Sequence, residues 1–309
     1  MNRADCRKIF RGTIATLPTP FDGGKRLDLP RMSDLTSWWV EHGLGSDVAP
    51  LKVAAVMGEG PMLGDDEWPA LLRTVVNAAG SDASVICALK PKDTIHTIED
   101  AKKAQDLGAV GLQIDPPMFH GPTQDDYVRF FSDISSSIDI GIMIYNTHWY
   151  RCPSVSPDTM LRLSDAEHVA AIKWSVPENL DYDDMRKFAH MFNVIDNSSQ
   201  PIRCHKNGGH GYISATICAY PEFDLHIWQL LEAKLYDEAQ EQWDVREKSY
   251  TPWRQKIRTE SGGVRHVKGA MDAMGLSAGP PRLPTLPLKE QDISELKTIL
   301  EGMGWPVPK

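Results

Sequence analysis

A lysine closes the apolar run Val169-Ala170-Ala171-Ile172, and a tyrosine closes another, Ile142-Met143-Ile144. Lys173 and Tyr145 are therefore the first residues to weigh. A lysine at the inner end of an apolar strand is hard to explain by packing. Burial disfavours its charge, lowers its pKa and frees the amine to attack a carbonyl carbon. The structural alternative is a lysine that snorkels to the rim of a sheet or pairs with a carboxylate. Tyr145 beside it suits a proton donor and acceptor, or a core tyrosine whose hydroxyl is hydrogen-bonded. Glu59, Lys90, Asp115 and Asp196 also follow apolar runs. Lys90 is a second candidate amine. His148 could act as acid or base near neutral pH, or face water from a loop.

Other chemistries lack their signatures. The chain has no HExxH, no phosphate-cradling glycine loop and no paired-cysteine site, and His205, His210 and His266 are too dispersed for zinc. The five cysteines, Cys6, Cys87, Cys152, Cys204 and Cys218, form no CxxC pair and read as reduced thiols of a cytoplasmic protein. No metal is expected.

The elements that position these residues alternate. Short apolar runs are expected as strands at Gly12–Leu17, Val48–Met57, Ser84–Leu89, Val110–Ile114, Ile140–Asn146, Val169–Trp174, Asn193–Ile195 and Tyr212–Ala215. Most are followed by a run with helical spacing: Pro30–His42, Asp65–Ala79, Thr94–Leu107, Gln124–Ser137, Ser156–Leu163 and Asn179–Met191. Eight apolar strands with intervening helices are what a parallel α/β barrel, the (β/α)8 TIM barrel, requires. An open doubly wound sheet would want a glycine-rich turn after the first strand, where Pro18-Thr19-Pro20 stands instead. In a barrel, the C-terminal ends of the strands carry the site, which selects the residues named above. From about Phe223 the pattern is purely helical, at Phe223–Ala233, Tyr236–Lys256 and Val264–Met274. The expected organisation is a barrel over residues 1–220 and a C-terminal helical extension over 221–309 packed on it.

The chain has 309 residues, 41% hydrophobic and 24% charged, enough to bury a large core. Its net charge is -9, which repels a phosphate backbone, so nucleic acid is not an expected partner. No apolar run reaches the roughly 20 residues that span a bilayer, and the N-terminus lacks an apolar signal core.

Taken in order, several segments resemble the dihydrodipicolinate synthase and N-acetylneuraminate lyase family. They are Gly12 to Phe21, Gly58-Glu59, Tyr145-Asn146, Ile172-Lys173, Gly208 to Ser214, and Val267-Lys268 through Arg282-Leu283-Pro284. The resemblance covers about residues 10–288. It implies a class I aldolase mechanism: Lys173 condenses with the ketone of a 2-oxo acid, commonly pyruvate, and the phenol of Tyr145 shuttles protons. No separate cofactor is implied, because the lysine imine serves. The resemblance also implies a homo-oligomer, a dimer or tetramer.

The sequence departs from that family at informative places. Val56 and Met57 stand where it has two adjacent hydroxyl residues, and neither can donate a hydrogen bond. Phe119 stands in place of its second tyrosine. Arg151 approximates its arginine, and His148-Trp149-Tyr150 replace a small proline-containing stretch. On this alignment Val56, Met57, Phe119, Trp149 and Trp174 make a more apolar pocket. Asp196 and Asn197 would contact substrate hydroxyls, and Ile213 would offer a carbonyl. These changes argue against authentic dihydrodipicolinate synthase. The expectation is a Schiff-base lyase, an aldolase or hydratase, for a 2-oxo acid with a bulky or apolar tail. The rivals are a sugar-acid dehydratase and a barrel that kept Lys173 but only binds small molecules.

Overall fold

The computed structural model describes residues 1–150 and 152–308. Eight strands close into a parallel barrel in sequence order: β1 (Gly12–Thr16), β2 (Leu51–Val53), β3 (Val85–Ala88), β4 (Gly111–Ile114), β5 (Gly141–Tyr145), β6 (Val169–Trp174), β7 (Asn193–Asp196) and β8 (Gly211–Ser214). The helices among the described residues are α1 (Arg3–Ile9), α2 (Leu29–Glu41), α3 (Glu67–Ala79), α4 (Thr94–Asp106), α5 (Gln124–Ser135), α6 (Pro157–Arg162), α7 (Pro201–Lys206), α8 (Pro221–Glu232), α9 (Tyr236–Glu260), α10 (Arg265–Ala273) and α11 (Glu290–Gly302). The expected (β/α)8 TIM barrel is the observed fold, and helices follow its last strand. No described helix is long and apolar enough to cross a membrane.

Local chemistry sets the helix starts. The Asp93 carboxylate accepts from Ile95 N and His96 N at the head of α4, and Thr123 forms a reciprocal capping box with Asp126 at the head of α5. Three expectations needed revision. The second strand is three residues long, because Ala54 takes a left-handed φ of 56° and Val56–Gly58 turn into a 3₁₀ helix. The expected helix at Asn179–Met191 is a 3₁₀ turn over Tyr182–Lys187. There the Tyr182 carbonyl accepts from the Trp174 indole at 2.9 Å instead of serving a helical ladder. Helices α1 and α11 fall outside the expected elements, although Ile293, Leu296 and Leu300 recur at helical spacing along α11.

The chain gathers into two compact units. The first comprises Met1–Ile14, Gly45–Lys52 and Asp82–Ile213, and holds most of β3 to β8. Its apolar floor is built from Cys6, Ile9, Phe10, Ile14, Ile86, Met143, Ala170, Ala171 and Ile195. Helix α1 is pinned there by Arg3, which donates to the carbonyls of Val169, Leu163 and Ala166. Glycine is required where β8 meets β1: a Cβ on Gly211 would lie 2.2 Å from the Gly12 carbonyl oxygen. The strands pair in parallel with Ile114 opposite Ile144, Tyr145 opposite Lys173, and Lys173 opposite Ile195.

The second unit comprises Ala15–Leu44, Val53–Ser81 and Ser214–Lys309. Its polar centre is a buried knot. Lys268 Nζ lies 2.7 Å from the Glu59 carboxylate, and the Arg282 guanidinium lies 2.6 and 2.8 Å from Glu67. Arg282 N also donates to Glu59 at 2.8 Å.

Candidate active site

Strand alternation decides which side chains enter the barrel. On β5, Met143 joins the floor, so Tyr145, two residues on, also points inward. On β6, Ala171 joins the floor and Lys173 follows it inward, while Trp174 turns outward onto Phe188 at 5.3 Å between ring centroids. On β4, a Cβ at Gly111 would meet the Phe10 ring, so Gln113 and Asp115 share that inward face. Asp115 follows Ile114 directly and falls level with Tyr145 and Lys173.

The first unit therefore brings Lys173, Tyr145, Asp115, Gln113 and Lys52 together above the floor. All are buried: Lys52 is 0% exposed, Gln113 3%, Lys173 5%, Asp115 7% and Tyr145 8%. Lys173 Nζ sits 3.5 Å from the centroid of the Tyr145 ring. Burial holds the Lys173 amine down to about 7, against the opposing charge of Asp115. Burial pushes the Asp115 carboxyl up to about 7, against the pull of Lys173 and Lys52. The Lys52 amine is driven well below its ordinary range, by burial first and by Lys173 second. Burial raises the Tyr145 phenol, the fields of Asp115 and Tyr150 add to this, and a hydrogen bond with Asn197 works the other way. An amine and a carboxyl that both titrate near neutrality can exchange protons with a carbonyl substrate at little cost.

The remaining expected residues fall in different places. Trp149 packs edge-on to Tyr145 at 5.5 Å, and half-buried His148 packs on Trp149 at 4.9 Å, with its imidazole lowered by burial. Val56 and Met57 are partly buried in the 3₁₀ turn after β2. Ile213 packs its side chain against the floor. Three expectations are corrected. Asp196 is spoken for: its carboxylate accepts from the Tyr182 hydroxyl at 2.7 Å, Ser198 N at 3.0 Å and Gln200 N at 2.8 Å, which builds the turn after β7. Phe119 is 71% exposed and lines no enclosed pocket. Trp174 faces the helix layer. Arg151 lies outside the described residues. Lys90 is partly buried.

Sequence reasoning missed Lys52 and Gln113. Lys52 Nζ donates to Gln113 Oε1 at 3.1 Å. A signal was present for both: Lys52 interrupts the apolar run Leu51-Lys52-Val53-Ala54, and Gln113 precedes Asp115 by one strand period. No cluster of His, Cys, Asp and Glu able to hold a metal occurs among the described residues.

The sequence profile of the dihydrodipicolinate synthetase family matches residues 9–303. The chain belongs to that family. A 4-hydroxy-tetrahydrodipicolinate synthase from Heliobacterium modesticaldum is 27% identical over 299 residues, 96% of each chain. One from Acidothermus cellulolyticus is 32% identical over 164 residues, 53% of this chain and 52% of that one. Among solved structures, dihydrodipicolinate synthase from Aquifex aeolicus superposes with a TM-score of 0.84 at 22% identity, covering 97% of this chain and 100% of that one. A prophage protein of the same family from E. coli K12, solved in complex with pyruvate, superposes at 0.82 with 21% identity, covering 96% and 99%. These two likenesses concern the fold. Membership in the dihydrodipicolinate synthetase family supports a class I, pyruvate-dependent, aldolase-type lyase.

Proposed function

We propose that this protein is a Schiff-base lyase whose nucleophile is Lys173, acting on a 2-oxo acid such as pyruvate or a pyruvate-derived aldol. The observation that carries the reading is the desolvated Lys173 amine poised 3.5 Å over the Tyr145 ring. Burial supplies a neutral nucleophile near pH 7, which a surface lysine is not. Attack on the ketone gives an iminium that withdraws electrons from the neighbouring carbon, and Tyr145 is positioned to pass protons there. The imine makes a separate cofactor unnecessary in this scheme.

The substrate differs from that of authentic dihydrodipicolinate synthase in this proposal. Trp149 sets an indole against Tyr145, and Val56 and Met57 offer no hydroxyl where the family has two. These favour an apolar or aromatic tail, as in an aromatic ylidene-pyruvate handled by a hydratase-aldolase. The active form in this proposal is a cytoplasmic homo-oligomer.

The test is borohydride reduction in the presence of pyruvate and of a panel of aryl-substituted 2-oxo acids, followed by peptide mass spectrometry. The expected result is a stable adduct on Lys173. Absence of any adduct there across the panel refutes the lyase reading.

A further inference from the structure

Asp115 is the least explained group in the barrel mouth. The residue is 7% exposed, and none of the described residues hydrogen-bonds its carboxyl. A carboxyl this far desolvated with no described donor is costly and is rarely kept for stability alone. The groups that face it are Lys52 from β2, Tyr145 from β5 and Lys173 from β6. Lys52 is already committed to Gln113, one strand period below Asp115. Lys173 is held over the Tyr145 ring. The carboxyl and the two amines thus interact through space without closing to contact. A structural pair closes, as Glu59 and Lys268 do at 2.7 Å. Tyr145 alone is a poor source of protons here, since burial and the field of Asp115 make its phenol harder to ionise.

We propose that Asp115 is a catalytic acid–base group, delivering and reclaiming the proton that imine formation on Lys173 requires. The proposal rests on the lyase reading above. The neutral Lys173 amine bonds to the keto carbon, and the carbonyl π pair moves to oxygen, which takes the Asp115 proton. The new C–NH₂⁺ group returns one proton to the Asp115 carboxylate. Asp115 then protonates the carbinolamine hydroxyl. That hydroxyl departs as water while the nitrogen lone pair closes the C=N bond. The products are an iminium bearing one N–H, a water molecule and an Asp115 carboxylate. That carboxylate then removes a proton from the adjacent carbon, giving the enamine and a neutral carboxyl. Every proton is returned, and no oxidant or second reactant is needed.

The experiment uses pyruvate as the probe with two readouts: borohydride labelling of Lys173, and exchange of the pyruvate methyl protons in D₂O followed by NMR. Asp115→Asn should melt at or above the wild-type temperature, because it removes a largely desolvated acid that no described residue hydrogen-bonds. It should still label at Lys173 on long exposure, while methyl exchange falls by about 100-fold or more. Formate should restore part of the exchange to Asp115→Ala. Wild-type exchange in a labelled Asp115→Asn protein overturns the role of Asp115 and leaves the lyase reading standing. Loss that formate does not relieve, in an Asp115→Ala protein with a native melting temperature, also overturns it. No Lys173 label in the wild-type protein sinks both.

Discussion

Two buried lysines of this chain differ in what they touch. Lys268, in the second unit, is 3% exposed and fully engaged. It meets Glu59 at 2.7 Å, donates to the Pro280 carbonyl at 2.9 Å and lies 4.6 Å above the Phe21 ring. Arg282 stacks on the same ring at 4.1 Å and ties Glu59 and Glu67 together. Burial lowers the Lys268 amine, and Glu59 opposes that. Lys173, in the first unit, is as deeply buried yet has an aromatic face below it and a carboxyl that stays out of contact. The difference teaches how burial alone does not make a lysine reactive. Partnered burial makes Lys268 a structural cation, and in the proposed reaction burial without a close carboxylate among the described residues makes Lys173 the nucleophile.

Substitutions can break this comparison at either end. Lys173→Ala should abolish borohydride labelling altogether, the largest effect, while Lys268→Arg should leave labelling in place. Lys268→Met should cost about 3–5 kcal/mol in urea denaturation, because Glu59 loses its partner, and Lys268→Met with Glu59→Gln should recover much of that. If Lys268→Met unfolds no more easily than wild type, the knot is not structural. Lys52→Met with Gln113→Leu should do the reverse and be neutral or stabilising, because both partners of a buried hydrogen bond give way to apolar side chains, whereas Lys52→Met alone should cost about 1–3 kcal/mol by stranding the Gln113 carbonyl.

The pH dependence sharpens the same contrast. The Lys173 amine titrates at about 7 when folded against 10.5 ordinarily, so the unfolded chain binds more protons between those values. That lysine therefore costs most stability below pH 7, and the cost fades as pH climbs toward 10.5. Thermal melts of Lys173→Met should show a flatter rise over that window than wild type. In the proposed scheme fast labelling uses a neutral amine and a protonated carboxyl, so its rate should be bell-shaped around pH 7. In Asp115→Asn the alkaline limb should vanish. The acid limb should move to lower pH, since the Asp115 charge is what raises the amine. An unchanged bell in that variant would detach Asp115 from the titration.

The legibility of the site followed the strand ends. Lys173 and Tyr145 stood out because each terminates an uninterrupted apolar run, and the strand period aims both at the barrel interior. Lys52 was hidden because its strand is only three residues long, so no alternation announces an inward face. Asp196 misled for the same reason in reverse: one residue past inward-facing Ile195, it points outward and builds a turn. Phe119 sits in a loop, where alignment with a family position says nothing of exposure.

The sequence by itself determined the barrel and the family and singled out Lys173, because periodicity and motif order are local properties that survive without coordinates. Tertiary structure alone decided which charges face one another. Lys52, Asp115 and Lys173 are far apart in the chain and come from β2, the end of β4, and β6. Their titration depends on distance and desolvation, and neither exists until the strands close into a ring.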